Sequence, residues 1–270
     1  MADTSSVLGT WNNAPLALVL AQIRFEPFQS LGIEELLDRF RSTISDEYPQ
    51  TGPIHQMSIV LGAGSQPQTP QSPAIVGYDL ITEDATRTVR LQPDAMTYTV
   101  TSYHDYPRFS EQWERLLAAL SAIGDVRGQR LGLRYVDFII PSDLHVPEDY
   151  VVAPIGTSPA CLGETAPVVF NLYEYARKDG RLRIQYGRGY GQPDYPPDLQ
   201  GMVIPPSRLR ARYTTGLSAV LDMDRWCEVA PVAGTTGQFL SAFQQLHDDM
   251  SSMFRSIITP LAKAEWGCRE

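Results

Sequence analysis

The spacing of apolar positions changes repeatedly along the chain, and each change marks an element. Residues 16–25 read LALVLAQIRF, a dense run of Leu, Val and Ile. It predicts a strand with Leu16, Leu18, Leu20, Gln22 and Arg24 on one face. After PFQS, the residues Ile33, Leu36, Leu37, Phe40 and Ile44 recur at helical spacing, which predicts an amphipathic helix within 31–48, ended by Pro49. A short strand is expected over 57–61, followed by the loop GAGSQPQTPQSP, too rich in Gly, Pro and Gln to bury anything. Positions 74–80, 88–92 and 97–102 form a meander separated by the polar turns EDATR and PDAM. A second helix covers 106–123, with Phe109, Trp113, Leu116, Leu117 and Leu120 on one stripe and a start near Ser110.

Arg130 opens a further strand, RLGLRYVDFII, ended by Pro141. The stretch 141–159 is a Pro-rich acidic connection, and 168–175 with 182–186 make a hairpin about RKDG. A long Gly/Pro loop spans 187–206, and a strand lies within 217–229. The last helix, 238–264, carries Phe239, Phe243, Leu246, Met250 and Phe254 on one stripe. Neighbouring strands with few helices between them predict an α+β fold, mainly antiparallel sheet with about three long amphipathic helices. Residues 1–13 are expected to be a flexible lead-in. The remainder divides into halves 14–141 and 142–270, or forms one continuous domain.

A hydrophobic content of 43% and a charged content of 20% are those of a globular chain. The net charge of −9 opposes a broad nucleic-acid surface but leaves room for a local one, where Arg208, Arg210 and Arg212 alternate in IPPSRLRAR. The longest apolar run near the N-terminus is APLALVLA, with no basic residue before it, so neither a membrane span nor a secretory leader is expected and the cytoplasm is the expected compartment. Cys161, Cys227 and Cys268 are odd in number and widely spaced, which suits free thiols.

Chemistry is sparse. The isolated His55, His104, His145 and His247 have no metal-ligand spacing, although His104–Asp105 and His247–Asp248–Asp249 could contribute ligands if folded together. GRGYGQ and GAGSQ lack the Lys-Ser/Thr pair and following helix of a phosphate loop. No GxSxG elbow is present. No catalytic residue, metal or cofactor is therefore expected. Asp222 and Asp224, two apart on a strand, could bind a cation, perform acid/base work or form the strand's solvated face.

The strand-borne charges are the strongest polar signal. Alternation puts Asp137 on the face of Leu131, Leu133 and Tyr135, and Arg134 on the opposite one with Gly132 and Val136. Arg24, Arg90 and Arg183 occupy comparable positions on other strands. Two readings stay open: arginines lining a groove for an anion or acidic partner, or internal Arg–Asp pairs that fix strand register.

The blocks NAPLALVLAQIRFEPF, ISDEYP, VRLQPDAMTY, YPRFSEQWE, RLGLRYVDFI, LDMD and EWG together resemble a sporadically distributed family of functionally uncharacterised bacterial proteins of about this length, over most of the chain. That family's pattern carries Asn more often at the position of Asp137, so the resemblance lends this carboxylate no role. What it implies is a part in mobile, conflict-related bacterial systems. The function expected is a non-enzymatic partner or regulatory subunit of a defence or toxin–antitoxin-like system, binding another protein, possibly a co-encoded one. The alternative is an enzyme or small-ligand binder that holds an anion through its strand arginines.

Overall fold

A computed structural model describes residues 11–29, 31–44, 46–56, 74–142, 144–157, 166–204, 209, 214–229 and 233–268. The strands are β1 (Leu16–Phe25), β2 (Gln50–Gln56), β3 (Ala74–Ile81), β4 (Arg87–Gln92), β5 (Ala95–Val100), β6 (Gly128–Ile139), β7 (Val169–Arg177), β8 (Gly180–Tyr190) and β9 (Leu217–Glu228). The helices are α1 (Ile33–Ile44), α2 (Tyr106–Ser121), α3 (Ala153–Gly156), α4 (Thr236–Ile257) and α5 (Pro260–Glu265). The nine strands make one sheet in the order β2-β3-β4-β5-β1-β6-β9-β8-β7, with every pairing antiparallel. The fold is α+β, and its sheet runs without interruption across position 141.

The topology repeats. In each of two successive units, β1 to α2 and β6 to α4, divided before β6 and not at position 141, a first strand (β1 or β6) goes to the centre, a meander follows, its last strand (β5 or β9) pairs with the first, and a helix (α2 or α4) comes next. β1 and β6 then pair with each other as the seam. Fewer apolar residues are needed on one sheet face than on the other, because the helices cover only one. Val19, Ala21, Ile23 and Phe25 of β1 join Leu131 and Leu133 of β6, Met223 of β9 and Ile184 of β8 in the main core with Phe40, Trp113, Leu117, Phe243 and Met250 from the helices.

Helix ends follow local chemistry. α2 begins a turn earlier than Ser110, because the Asp105 side chain caps it by accepting from the Arg108 backbone N–H at 2.9 Å and Pro107 is tolerated in the first turn. α4 starts with a capping box between Thr235 and Gln238. The continuous helix expected over 238–264 is instead two: Ile258 is extended, and Pro260, which has no N–H for a continuing helix, opens α5 under a Thr259 cap. The edge strand β2 carries Pro53 and Gly52, which hid it in the sequence, while the strand expected over 57–61 and the loop 62–73 lie outside the described residues. The loop expected from position 187 begins later, since β8 continues to Tyr190 opposite Leu217.

Among the described residues no helix is long and apolar enough to cross a membrane. Cys227 and Cys268 are free thiols, and Cys161 lies outside the described residues.

Candidate functional site

Register decides where the strand charges go. Arg90 faces Thr97, Thr97 faces Gln22, and Gln22 faces Gly132, while Arg134 lies between Leu20 and Asp224, which faces Arg183. Arg24, Arg90, Arg134 and Arg183 therefore all project from the sheet face opposite the helices. They share that face, yet each is already occupied. Arg90 makes two hydrogen bonds of 2.8 Å to Asp79, directly opposite it on β3. Arg134 donates twice to Asp222 at 2.7 Å and twice to Asp198, at 2.5 and 3.1 Å. Burial works against its charge, but the bonds to Asp222 and then Asp198 hold its pKa above the ordinary value. Arg24 reaches Asp94 at 3.4 Å, and Arg183 reaches Glu174 at 3.0 Å with its guanidinium near the Trp226 ring.

Two of these arginines also fasten a strap. Tyr195, Leu199, Met202 and Ile204 pack on Leu18, Leu20, Val136 and Phe138 of the sheet, with the Tyr195 and Phe138 rings 5.1 Å apart. Arg134 grips Asp198 in this segment, and Arg90 donates to the Gly201 carbonyl at 3.1 Å. The solvated face envisaged for Asp222 is not what forms: the side chain is 2% exposed and also accepts from Gln185 at 3.2 Å. Arg208, Arg210 and Arg212 lie outside the described residues.

Asp137 is on the other face. The β6–β9 register is unbroken from Arg130 to Ile139, and the irregularity near it is in β1, between Leu16 and Leu18, so Arg134 and Asp137 point away from each other. Asp137 is 3% exposed and lines a cavity of about 490 Å³ among the start of β1, the end of β6, the beginning of α2 and the middle of α4. No hydrogen bond or ion pair reaches it among the described residues. Burial first, and the Asp222 charge second, push its carboxyl up to about 8.

The aromatic wall is cross-braced by a hydrogen bond and ring contacts. Tyr135 shares a 2.8 Å hydrogen bond with His247 Nδ1, and the Tyr106 ring stacks on the His247 ring at 3.7 Å between centres. Burial holds the imidazole down at about 4, opposed by Asp248, so it is neutral near pH 7. Ser251 lies one turn along α4, within 3.4 Å of His247 Nε2. Tyr103 meets Tyr135 edge-on at 6.3 Å. His104 and His247 do line the same cavity, but among the described residues no group of three or more His, Cys, Asp or Glu could hold a metal.

No protein-family model and no curated protein matches this chain. The site's meaning therefore has to come from its own geometry. His247 was visible as an isolated histidine that could join Asp248 and Asp249 in holding a metal, Tyr135 as one residue of an apolar strand face, and Tyr103 and Tyr106 carried no signal of their own. The alternation that put Asp137 on an apolar face was the one local signal of this cavity.

Proposed function

We propose that this protein is a binding protein whose recognition site is the cavity floored by Asp137. The observation that supports this reading is an isolated, 3% exposed carboxyl group facing a partly open cavity of about 490 Å³, within the usual range of small-molecule sites. A buried carboxyl without a partner is destabilising unless something satisfies it. Its neighbours are suited to holding a ligand still: Tyr135 is fixed by His247, which is fixed in turn by Tyr106. The strand arginines have a structural part in this reading, since their guanidiniums are engaged by carboxylates.

The test is a fragment screen followed by NMR. Hits are expected to shift resonances of Tyr103, Tyr135 and His247, and filling the cavity with Ser251→Phe should abolish them. Hits that map consistently elsewhere, or survive Ser251→Phe, would overturn the reading.

A second reading, a partner or regulatory subunit in a bacterial defence or toxin–antitoxin-like system, has its own support. Val168, Phe170 and Leu172 are 70%, 66% and 54% exposed on or beside the terminal strand β7. Such a row on an open sheet edge suits strand addition by another chain. The bacterial conflict setting itself rests on the family resemblance. The expected result is that the chain, expressed from its own locus, co-purifies with a co-encoded protein, and that the double change Phe170→Lys, Leu172→Lys separates them. Elution of the wild-type chain alone would remove this reading.

A further inference from the structure

We propose that the cavity's ligand is an organic cation, an ammonium group on a compact apolar body, with Asp137 as its counter-ion. This rests on the reading that the cavity binds a ligand at all.

The fold's treatment of its other acids carries the argument. Among the described residues three carboxylates are buried: Asp79, Asp137 and Asp222. Asp79 receives two hydrogen bonds from Arg90, and Asp222 receives two from Arg134. Asp137 has no such cation, and it is the one of the three that lines the cavity. A cation brought from outside would give it what the fold gives the other two.

Among the other lining residues, Arg255 is the one that opposes a cation. On α4, His247 is neutral, Ser251 is uncharged, and Asp248 acts on His247 and Tyr106. Arg255 also lines the cavity, but its guanidinium lies 6.0 Å from the centre of the Trp11 ring and makes no bond to Asp137. Before and within α2 come His104, Asp105 and Tyr106, and β6 adds Tyr135. From the far side of the sheet Asp222 adds negative potential at Asp137. An anion would meet Asp137 at the floor and the negative potential of Asp222 behind it. A neutral molecule would satisfy one carboxyl hydrogen bond and no charge.

The walls suit an alkylated cation more than a hydrated metal ion. Trp11, Tyr103, Tyr106, Tyr135 and Phe254 surround the space, and aromatic surfaces attract organic cations while tolerating their apolar substituents. Binding would draw the proton from Asp137, so affinity should rise with pH by up to about tenfold per unit while the empty site is protonated.

The experiment is an NMR titration with tetramethylammonium, whose charge is independent of pH, beside two probes of similar size, tert-butanol and pivalate. The wild-type protein should bind tetramethylammonium in preference to both, and more tightly at pH 8.5 than at pH 6.5. Asp137→Asn should lose at least about tenfold of the cation affinity, a difference worth about 1.4 kcal/mol, while retaining its binding of tert-butanol. Asp137→Ser provides the same comparison if the Asn protein folds poorly. Preference for tert-butanol or pivalate, or undiminished cation binding by both variants, would overturn the inference and leave the cavity as a binding site. Failure of all three probes to move Tyr103, Tyr135 and His247 resonances would overturn this inference, while the fragment screen separately decides the cavity's role.

Discussion

Arg134→Ala should lower the free energy of unfolding by about 3–5 kcal/mol, the usual cost of breaking a buried ion pair from one side. The reason is the acid left behind more than the bond removed. Asp222 is 2% exposed, and its remaining side-chain donor would be Gln185. The same change frees Asp198 and with it one fastening of the strap, leaving the Arg90 bond to Gly201 and the packing of Tyr195 and Leu199. Urea unfolding followed by circular dichroism measures the loss. Asp198→Ala is a useful contrast: its side chain is 63% exposed, and an exposed partner is worth about 1 kcal/mol or less. Replacing Arg134 and Asp222 together with Leu should recover much of the stability, since apolar substitution of a buried pair is often close to neutral. Equal effects for Arg134→Ala and Asp198→Ala would show that Asp222 does not need its arginine.

The contribution of Asp137 to stability should fall as pH rises from about 4 to about 8, opposed between about 4 and 6.5 by His247, which the fold keeps neutral, and Asp137→Asn should remove that contribution. The folded carboxyl titrates near 8, against an ordinary value of 3.8. Below the ordinary value both folded and unfolded chains are protonated, and the group imposes no penalty. Between the two values the unfolded chain releases its proton while the folded chain keeps it, so each rise in pH favours unfolding. Above the folded value both are ionised and the full penalty, on the order of several kcal/mol, is present. An Asn at this position resembles the neutral acid in shape and never ionises. Asp222 and Asp224 also titrate upward through burial, whereas Asp198 and Asp249 are lowered through their arginine bonds against the opposing effect of burial. The difference between wild-type and Asp137→Asn urea curves across this window isolates the one group. Parallel curves would count against a neutral Asp137 in the folded chain.

Much of the sheet was legible because strands obey a local rule. LALVLAQIRF, the meander after position 74 and RLGLRYVDFI each alternate or run apolar over their observed lengths, and alternation alone separated Arg134 from Asp137. Partners were not legible. Asp222 lies 88 residues from Arg134 in the chain, and nothing local says that β9 will settle beside β6. The same limit hid the cavity, whose walls come from segments that have no common pattern until the helices pack. The missed strand β2 and the divided last helix have simpler causes: Pro and Gly obscure an edge strand, and Pro260 overrides a stripe that continues past it.

The seam between the two halves bears on synthesis. Val19 of β1 pairs with Val100 on one side and Tyr135 on the other, so neither neighbour exists when β1 leaves the ribosome. At about 5–20 residues per second, a wait of roughly 80 residues for β5 lasts about 4–16 s, and the wait for β6 is longer still. During that interval one of the most apolar stretches of the chain has two bare edges. The arrangement that makes β1 the middle of the finished sheet also makes it the segment most exposed to nascent-chain aggregation and chaperone capture.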